Sequence, residues 1–221
     1  MACFGRTSSA GASASRGVRS TADFDQEAED LFKSLNLPPG GKGGGNERYR
    51  PLDAIWRHPR TGGTIFVGNV EAASNMDVLK NNRITYVVNC TDSMPLYHEK
   101  TGKIRYHRFD IAGWWRHLGK GFGNEATKEF IKPVFTFIGD AVSQGNNVLV
   151  HCLAGAHRAG TTGCACLMHY GGLSVGSSIA AAKKLRPVID PIGGLPELLA
   201  KIEKLYQTHP PNTLFPIEHF Q

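Results

Sequence analysis

Cys152 and Arg158 stand on either side of five residues in HCLAGAHRAGT (151–161), a thiol and a guanidinium separated by a mostly small-residue run. A free thiol, with a pKa of ~8.5, is only a few per cent thiolate at neutral pH, and amides, an arginine and a helix start can lower that by several units. Small side chains at Ala154, Gly155 and Ala156, between Leu153 and His157, let successive backbone N–H groups turn inward as a nest for an oxyanion. A helix starting near Arg158 adds the positive end of its dipole, and the planar fork of Arg158 can clasp two oxygens of one phosphate, as a lysine cannot. The chemistry open to such a group is in-line attack by Cys152 on phosphorus through a phosphocysteine. Amides and Arg158 hold the charge, so the mechanism calls for no metal and no other cofactor.

Other readings of the same stretch compete with this one. A Walker-type loop needs Gly-Lys-Ser/Thr, which is absent. A zinc site would draw on His151, Cys152, His157, Cys164, Cys166 and His169, but there is no C-x-x-C, and Cys164 and Cys166 lie two apart on a helix, facing different ways. A merely structural cysteine in a turn would leave Arg158 beside it without a purpose.

The elements that must position these residues follow from periodicity. NVLVH (147–151) is a continuous apolar run, as a doubly covered central strand requires, and the carboxyl end of such a strand is where open α/β sheets bind ligands. TIFVG (64–68), ITYVVNC (84–90) and KIRYHRF (103–109) read as further strands, and AASNMDVLK (72–80) as a helix. Residues 125–143 place Ala126, Phe130, Val134, Phe137, Ile138 and Ala141 on one helical face, with a kink expected at Pro133. Helices are expected at 159–170, 174–185 and 195–206. The alternation predicts a three-layer α/β domain over 49–210, a mixed central sheet flanked by helices. Ahead of it lies an acidic amphipathic helix (23–37) with Phe24, Ala28, Leu31, Phe32 and Leu35 in a stripe, expected to dock on the basic domain, then a Gly/Pro linker (38–48). Residues 1–22, with three Arg and no acid, read as a disordered tail or a transit segment, and 211–221 as a C-terminal tail.

The stretch H-C-x5-R, together with IFVGNVEAASNMDVLKNNRITYVVNCTDSMP (65–95) and CLMHYGGLSVGSSIAAAKKLRPVIDP (166–191), resembles the dual-specificity phosphatases of the protein tyrosine phosphatase superfamily. The resemblance covers roughly 50–208. It implies Cys152 as nucleophile, Arg158 as phosphate clamp, Leu153–His157 as amide cradle and His151 as a group tuning Cys152. It implies phosphotyrosine and phosphoserine/threonine in proteins as substrates. The alternatives are a phosphate-binding scaffold without turnover, or a phosphatase of a lipid, a glucan or an RNA 5′ end.

Two positions depart from the family pattern. Ala159 replaces the Ser or Thr that usually follows the arginine, with Thr161 and Thr162 as nearby hydroxyls. The usual acid position falls on Gly113, so Asp110, three residues earlier, is the favoured general acid, and Glu125 the lesser candidate. Trp114 and Trp115 are candidates for the pocket rim, made basic by Arg116 and His117. Cys90, by the same resemblance, is a possible redox partner of Cys152. The net charge of +6 suits an anionic substrate without demanding nucleic acid. Five cysteines without framework spacing suit a reducing compartment, hence a cytoplasmic location, or an organelle if residues 1–22 are a transit segment. No apolar run spans a bilayer.

Overall fold

The computed structural model describes residues 21–41, 49–117 and 123–214. The tail up to residue 20, most of the expected linker (42–48) and the last seven residues lie outside the described residues, as does the centre of the loop after Trp115 (118–122).

Five strands, β1 (Leu52–Arg57), β2 (Thr64–Gly68), β3 (Ile84–Asn89), β4 (Arg105–Arg108) and β5 (Asn147–His151), form one sheet in the order β1-β2-β5-β3-β4. β1 runs antiparallel to β2 and every other pairing is parallel, so the sheet is mixed. β5 lies at the centre, and its side chains alternate between two cores. Val148 and Val150 join Ile65, Val67, Val88 and Ile138, whereas Leu149 joins Ala72, Ala73, Leu79 and Val87 across the sheet. Burial on both faces explains the unbroken apolar run of NVLVH. Helices α2 (Val70–Ser74) and α3 (Met76–Asn81) cover the second face. On the first lie the short α4 (Trp114–His117), α5 (Asn124–Ser143), α6 (Arg158–Gly171), α7 (Val175–Leu185) and α8 (Leu195–Thr208).

Several elements differ from expectation for physical reasons. The single helix at 72–80 is two, because Asn75 adopts an extended backbone and its side chain accepts from Asp77 N (2.9 Å) and Val78 N (3.3 Å), starting α3 afresh. α5 continues through Pro133, and Ile131 and Phe135 are buried beside Val134 and Ile138, so its core face is turned by about a residue from the predicted stripe. β1 has no apolar alternation to reveal it, since one of its two buried side chains is Asp53. The expected tail after 211 begins as a short helix, α9 (Pro211–Leu214), with Leu214 against the core.

The acidic helix α1 (Thr21–Ser34) starts two residues earlier than expected and lies on the domain. Phe24, Ala28 and Phe32 are buried, four residues apart each, while Leu31 and Leu35 are half-buried. Behind it, Gly41 holds φ +67 under the Phe32 ring, where a Cβ would sit 2.7 Å from a ring carbon.

Buried histidines make this fold acid-sensitive. His169 stacks on Phe135 (centroids 4.5 Å, 11°), and burial pulls it down to about 3. His151 is pulled down to about 4 by burial. The unfolded chain takes up both protons near pH ~6.5, so it binds more protons than the folded chain below that pH. Stability is therefore complete above pH ~6.5 and falls as pH drops through the window toward 4, by about 1.4 kcal/mol per unit for each histidine. Urea midpoints measured from pH 7 to 4.5 should fall steeply, and His169→Phe should flatten that slope.

Candidate active site

β5 ends at His151 and the chain turns through residues 152–157 into α6. Each carbonyl of this loop from Leu153 onward is held from outside. Leu153 O accepts from Val70 N (3.0 Å), and Ala154 O from the Tyr49 hydroxyl (3.0 Å) and Arg186 Nη2 (3.1 Å). Gly155 O accepts from Arg186 Nε (2.9 Å), Ala156 O from Asp190 N (3.1 Å), and His157 O from Thr161 N (2.8 Å) and Oγ1 (2.6 Å). In a planar trans peptide the N–H points away from the C=O. Anchoring these carbonyls therefore turns the N–H groups of Ala154 through Arg158 to the concave side, and no peptide bond here is cis. Gly155 is required by its φ of +66 and because a Cβ there would lie 2.5 Å from the Gly68 carbonyl oxygen.

Arg158 is the first residue of α6 and is 1% exposed. Its Nη2 pairs with Asp25 of α1, while its buried Nε and Nη1 have no hydrogen-bond partner among the described residues. Leaving one buried donor unsatisfied costs about 1–3 kcal/mol, more when it is charged, so two on one guanidinium mark a place fitted for an anion. Cys152, 2% exposed, lies between this arginine and the end of β5. His151 is neutral at physiological pH for the burial reason given above, so it brings no positive charge to the neighbouring thiol.

The largest missed contributor is Arg186. Buried at 1% exposure, it spends Nε and Nη2 on the cradle and Nη1 on Arg50 O (2.9 Å) and Asp53 Oδ2 (2.7 Å). Tyr49 lies under its guanidinium at 5.3 Å. Burial pushes the Tyr49 phenol up to about 12, keeping it a donor to Ala154 while it accepts from Asn69 Nδ2 (3.0 Å). The chain offered one signal, Arg186-Pro187 at a helix end, with nothing to say that the arginine turns inward.

The remaining candidates are placed as follows. The Asp110 carboxylate caps the short 3-10 turn Ile111–Gly113, with Oδ1 accepting from Gly113 N (3.1 Å) and Oδ2 paired with Arg116. Trp114 is not at a rim: it is 1% exposed within the core, with the Lys201 ammonium 6.0 Å from its ring centroid, because the turn capped by Asp110 directs it inward. Trp115 is 43% exposed, with the Arg116 guanidinium 5.7 Å from its ring, and His117 stacks on Phe130. Glu125 lies in the first turn of α5 and pairs with Lys128. Ala159 is fully buried; Thr161 donates to His157 O and Thr162 to Arg158 O (3.0 Å), so both hydroxyls are taken up by helix carbonyls. His157 Nδ1 lies 2.7 Å from Asp190 O and must donate, since a carbonyl only accepts. Cys90 donates its N–H to His151 O (2.8 Å), which seats it beside the end of β5, and its thiol contacts Thr162 Oγ1 (3.3 Å). Among the described residues no three His, Cys, Asp or Glu side chains are grouped to hold a metal ion, and Cys164 and Cys166 are each buried in α6.

Comparison with known proteins adds to this geometry. Residues 65–204 match the family model "Dual specificity phosphatase, catalytic domain". The chain is 27% identical over 176 residues to dual specificity protein phosphatase 6 of Homo sapiens, which covers 79% of this chain and 43% of that protein. It is 29% identical over 143 residues to dual specificity protein phosphatase 1 of Arabidopsis thaliana, covering 65% and 67%. The match thus spans less than half the length of the human relative. A crystal structure of a mouse putative dual specificity phosphatase complexed with zinc tungstate shares the fold, with a TM-score of 0.56, 24% identity, and 79% of this chain and 99% of that one covered.

Arg186→Lys keeps the charge but loses the fork that holds two carbonyls. It should cost about 2–4 kcal/mol in urea unfolding, from unsatisfied buried groups, and weaken tungstate binding at least ~10-fold by calorimetry, because the amides lose their aim.

Proposed function

The chain belongs to the dual specificity phosphatase catalytic-domain family, and from that premise we propose that it is a cysteine-dependent phosphatase acting on phosphotyrosine and phosphoserine/threonine in proteins. The observation that carries the reading is the loop of anchored carbonyls that runs from Cys152 to a buried arginine whose Nε and Nη1 have no partner among the described residues. In the proposed reaction the Cys152 thiolate attacks phosphorus and the bond to the leaving oxygen breaks. The N–H groups of Ala154 to Arg158 and the Arg158 fork hold the peripheral oxygens as charge builds on them. Water then cleaves the phosphocysteine, returning the thiolate and inorganic phosphate. His151, buried and neutral beside Cys152, is the proposed tuning group and no base.

Asp110 is the proposed proton donor to the leaving oxygen. Both of its carboxylate oxygens are engaged, so it must exchange Arg116 for the substrate before it can act. Ala159 supplies no hydroxyl to the departing thiolate, and Thr161 and Thr162 are committed to their own helix. One missing hydrogen bond to a charged group slows the second step by roughly 10–100-fold. Cys90 is the proposed disulfide partner of an oxidised Cys152; burial pushes its thiol up, which makes that exchange slow at neutral pH.

Cys152→Ser should abolish turnover of para-nitrophenyl phosphate, while retained activity would refute the phosphocysteine. Ala159→Ser should raise kcat by ~10-fold or more, with a shorter-lived phosphoenzyme in rapid quench. Asp110→Asn should cut kcat/KM on a phosphoseryl peptide far more than on para-nitrophenyl phosphate, whose leaving group needs no proton. After peroxide and then iodoacetamide, peptide mapping should recover a Cys90–Cys152 disulfide; finding only singly oxidised Cys152 would remove that pairing.

A further inference from the structure

Helix α1 brings a carboxylate to the arginine that clamps phosphate. Asp25 pairs with Arg158 Nη2, and the Phe24 ring lies 5.7 Å from the same guanidinium. Phe24 is 2% exposed and packs in the main core, in the same cluster as Cys152, and Arg158 and Cys152 are 1% and 2% exposed. Further along α1, Ala28 and Phe32 pack with Tyr49, Ala154 and Ala156, against the cradle itself. A carboxylate and a phosphate present the same kind of oxygen pair to a guanidinium fork. Nη2, the nitrogen that Asp25 holds, belongs to both bidentate edges of the Arg158 guanidinium, so the two compete for it.

We propose that α1 is an intramolecular competitor, in which Asp25 and Phe24 close the phosphate cradle and a phosphorylated substrate must displace them. The proposal rests on the reading of that cradle as a phosphate site. A phosphoryl group carries a charge of about −1.5 to −2 near neutral pH, against −1 for the carboxylate, so the exchange favours substrate once it arrives. The Asp25 side chain is 42% exposed, which puts the pair at the solvent edge, where exchange can begin. Until it opens, apparent affinity is lowered by the fraction of molecules that are open.

The test uses the full chain with Asp25→Asn, Asp25→Ala and the double variant Phe24→Ala/Asp25→Ala. Three quantities are read: KM for para-nitrophenyl phosphate, the dissociation constant for tungstate, and the rate at which iodoacetamide alkylates Cys152. With one charge-assisted contact removed, Asp25→Ala should lower KM and the tungstate constant about 10-fold, with kcat nearly unchanged. It should also speed alkylation, and Asp25→Asn should fall between it and the parent. Unchanged tungstate affinity and alkylation in Asp25→Ala overturn the proposal whether or not the enzyme is active, and that variant keeps the buried Phe24 and therefore the fold. Tighter tungstate binding without turnover in any form would uphold the closure and refute the phosphatase reading. Turnover with neither tungstate affinity nor alkylation changed would do the reverse.

Discussion

A peptide group sends its N–H and its C=O in opposite directions, and the candidate site depends on where the carbonyls of residues 153–157 are sent. Five consecutive N–H groups will not face one small volume unaided, because their partial positive charges repel and each carbonyl left behind in a dry interior needs a donor. Here donors come from three separated parts of the chain: Tyr49, Val70 and the 186–190 segment, which supplies Asp190 and, above all, Arg186. The Arg186 charge is itself buried and would be costly alone, so Asp53 is buried with it. Removing one member of such a pair costs about 3–5 kcal/mol, because the other charge is left uncompensated. β1 serves this end: it is an edge strand carrying an acid on its inner face, in the position where an apolar residue would otherwise add more to the core.

The same dependence explains which parts of the molecule are legible in the chain. A thiol and an arginine five residues apart around a small-residue loop announce themselves, because their chemistry requires that spacing. The central strand is equally clear, since burial on both faces demands a continuous apolar run. The α/β alternation follows from period and length. Asp53, Arg186 and Tyr49 are polar or amphipathic residues, Arg186 lies 133 positions from Asp53, and residue type alone describes them as surface. Only the fold makes them neighbours. Trp114 and Trp115 teach the same lesson, for two identical residues side by side end up 1% and 43% exposed because one short turn directs them oppositely. The break at Asn75 was visible in principle: an asparagine two residues before an aspartate, ahead of an apolar pair, is an N-cap signal, but it was hidden inside a longer helical period.

Helix α1 shows how charge and apolar surface divide the work. Its stripe of Phe24, Ala28 and Phe32 provides the adhesion, and fully burying a phenylalanine is worth about 1.5–3 kcal/mol. Among its acids, Asp25 meets the buried clamp, whereas Asp30 pairs with Lys33 within the helix and Glu29 accepts from Gly40 N. The amphipathic stripe predicts that the helix docks. Where it docks is decided by which residue of its first turns carries the carboxylate.

Cradle and helix are held in contrasting ways, and this decides which of them yields when an anion arrives. The cradle carbonyls are fixed by donors from Tyr49 ahead of β1, from the start of α2, from α6 and from the segment after α7, so releasing them leaves several carbonyls without a donor. The closing contact is one carboxylate on the second turn of a helix end, half open to water, beside one aromatic ring. Helix ends open at a free energy far below that of global unfolding, because their first N–H groups have no intrahelical partner to lose. Phe32 and Ala28, two turns and one turn further on, can keep α1 seated against Tyr49 and Ala154 while the first turns lift. A rigid receptor facing a weakly fastened end gives a site whose shape is constant and whose accessibility is not.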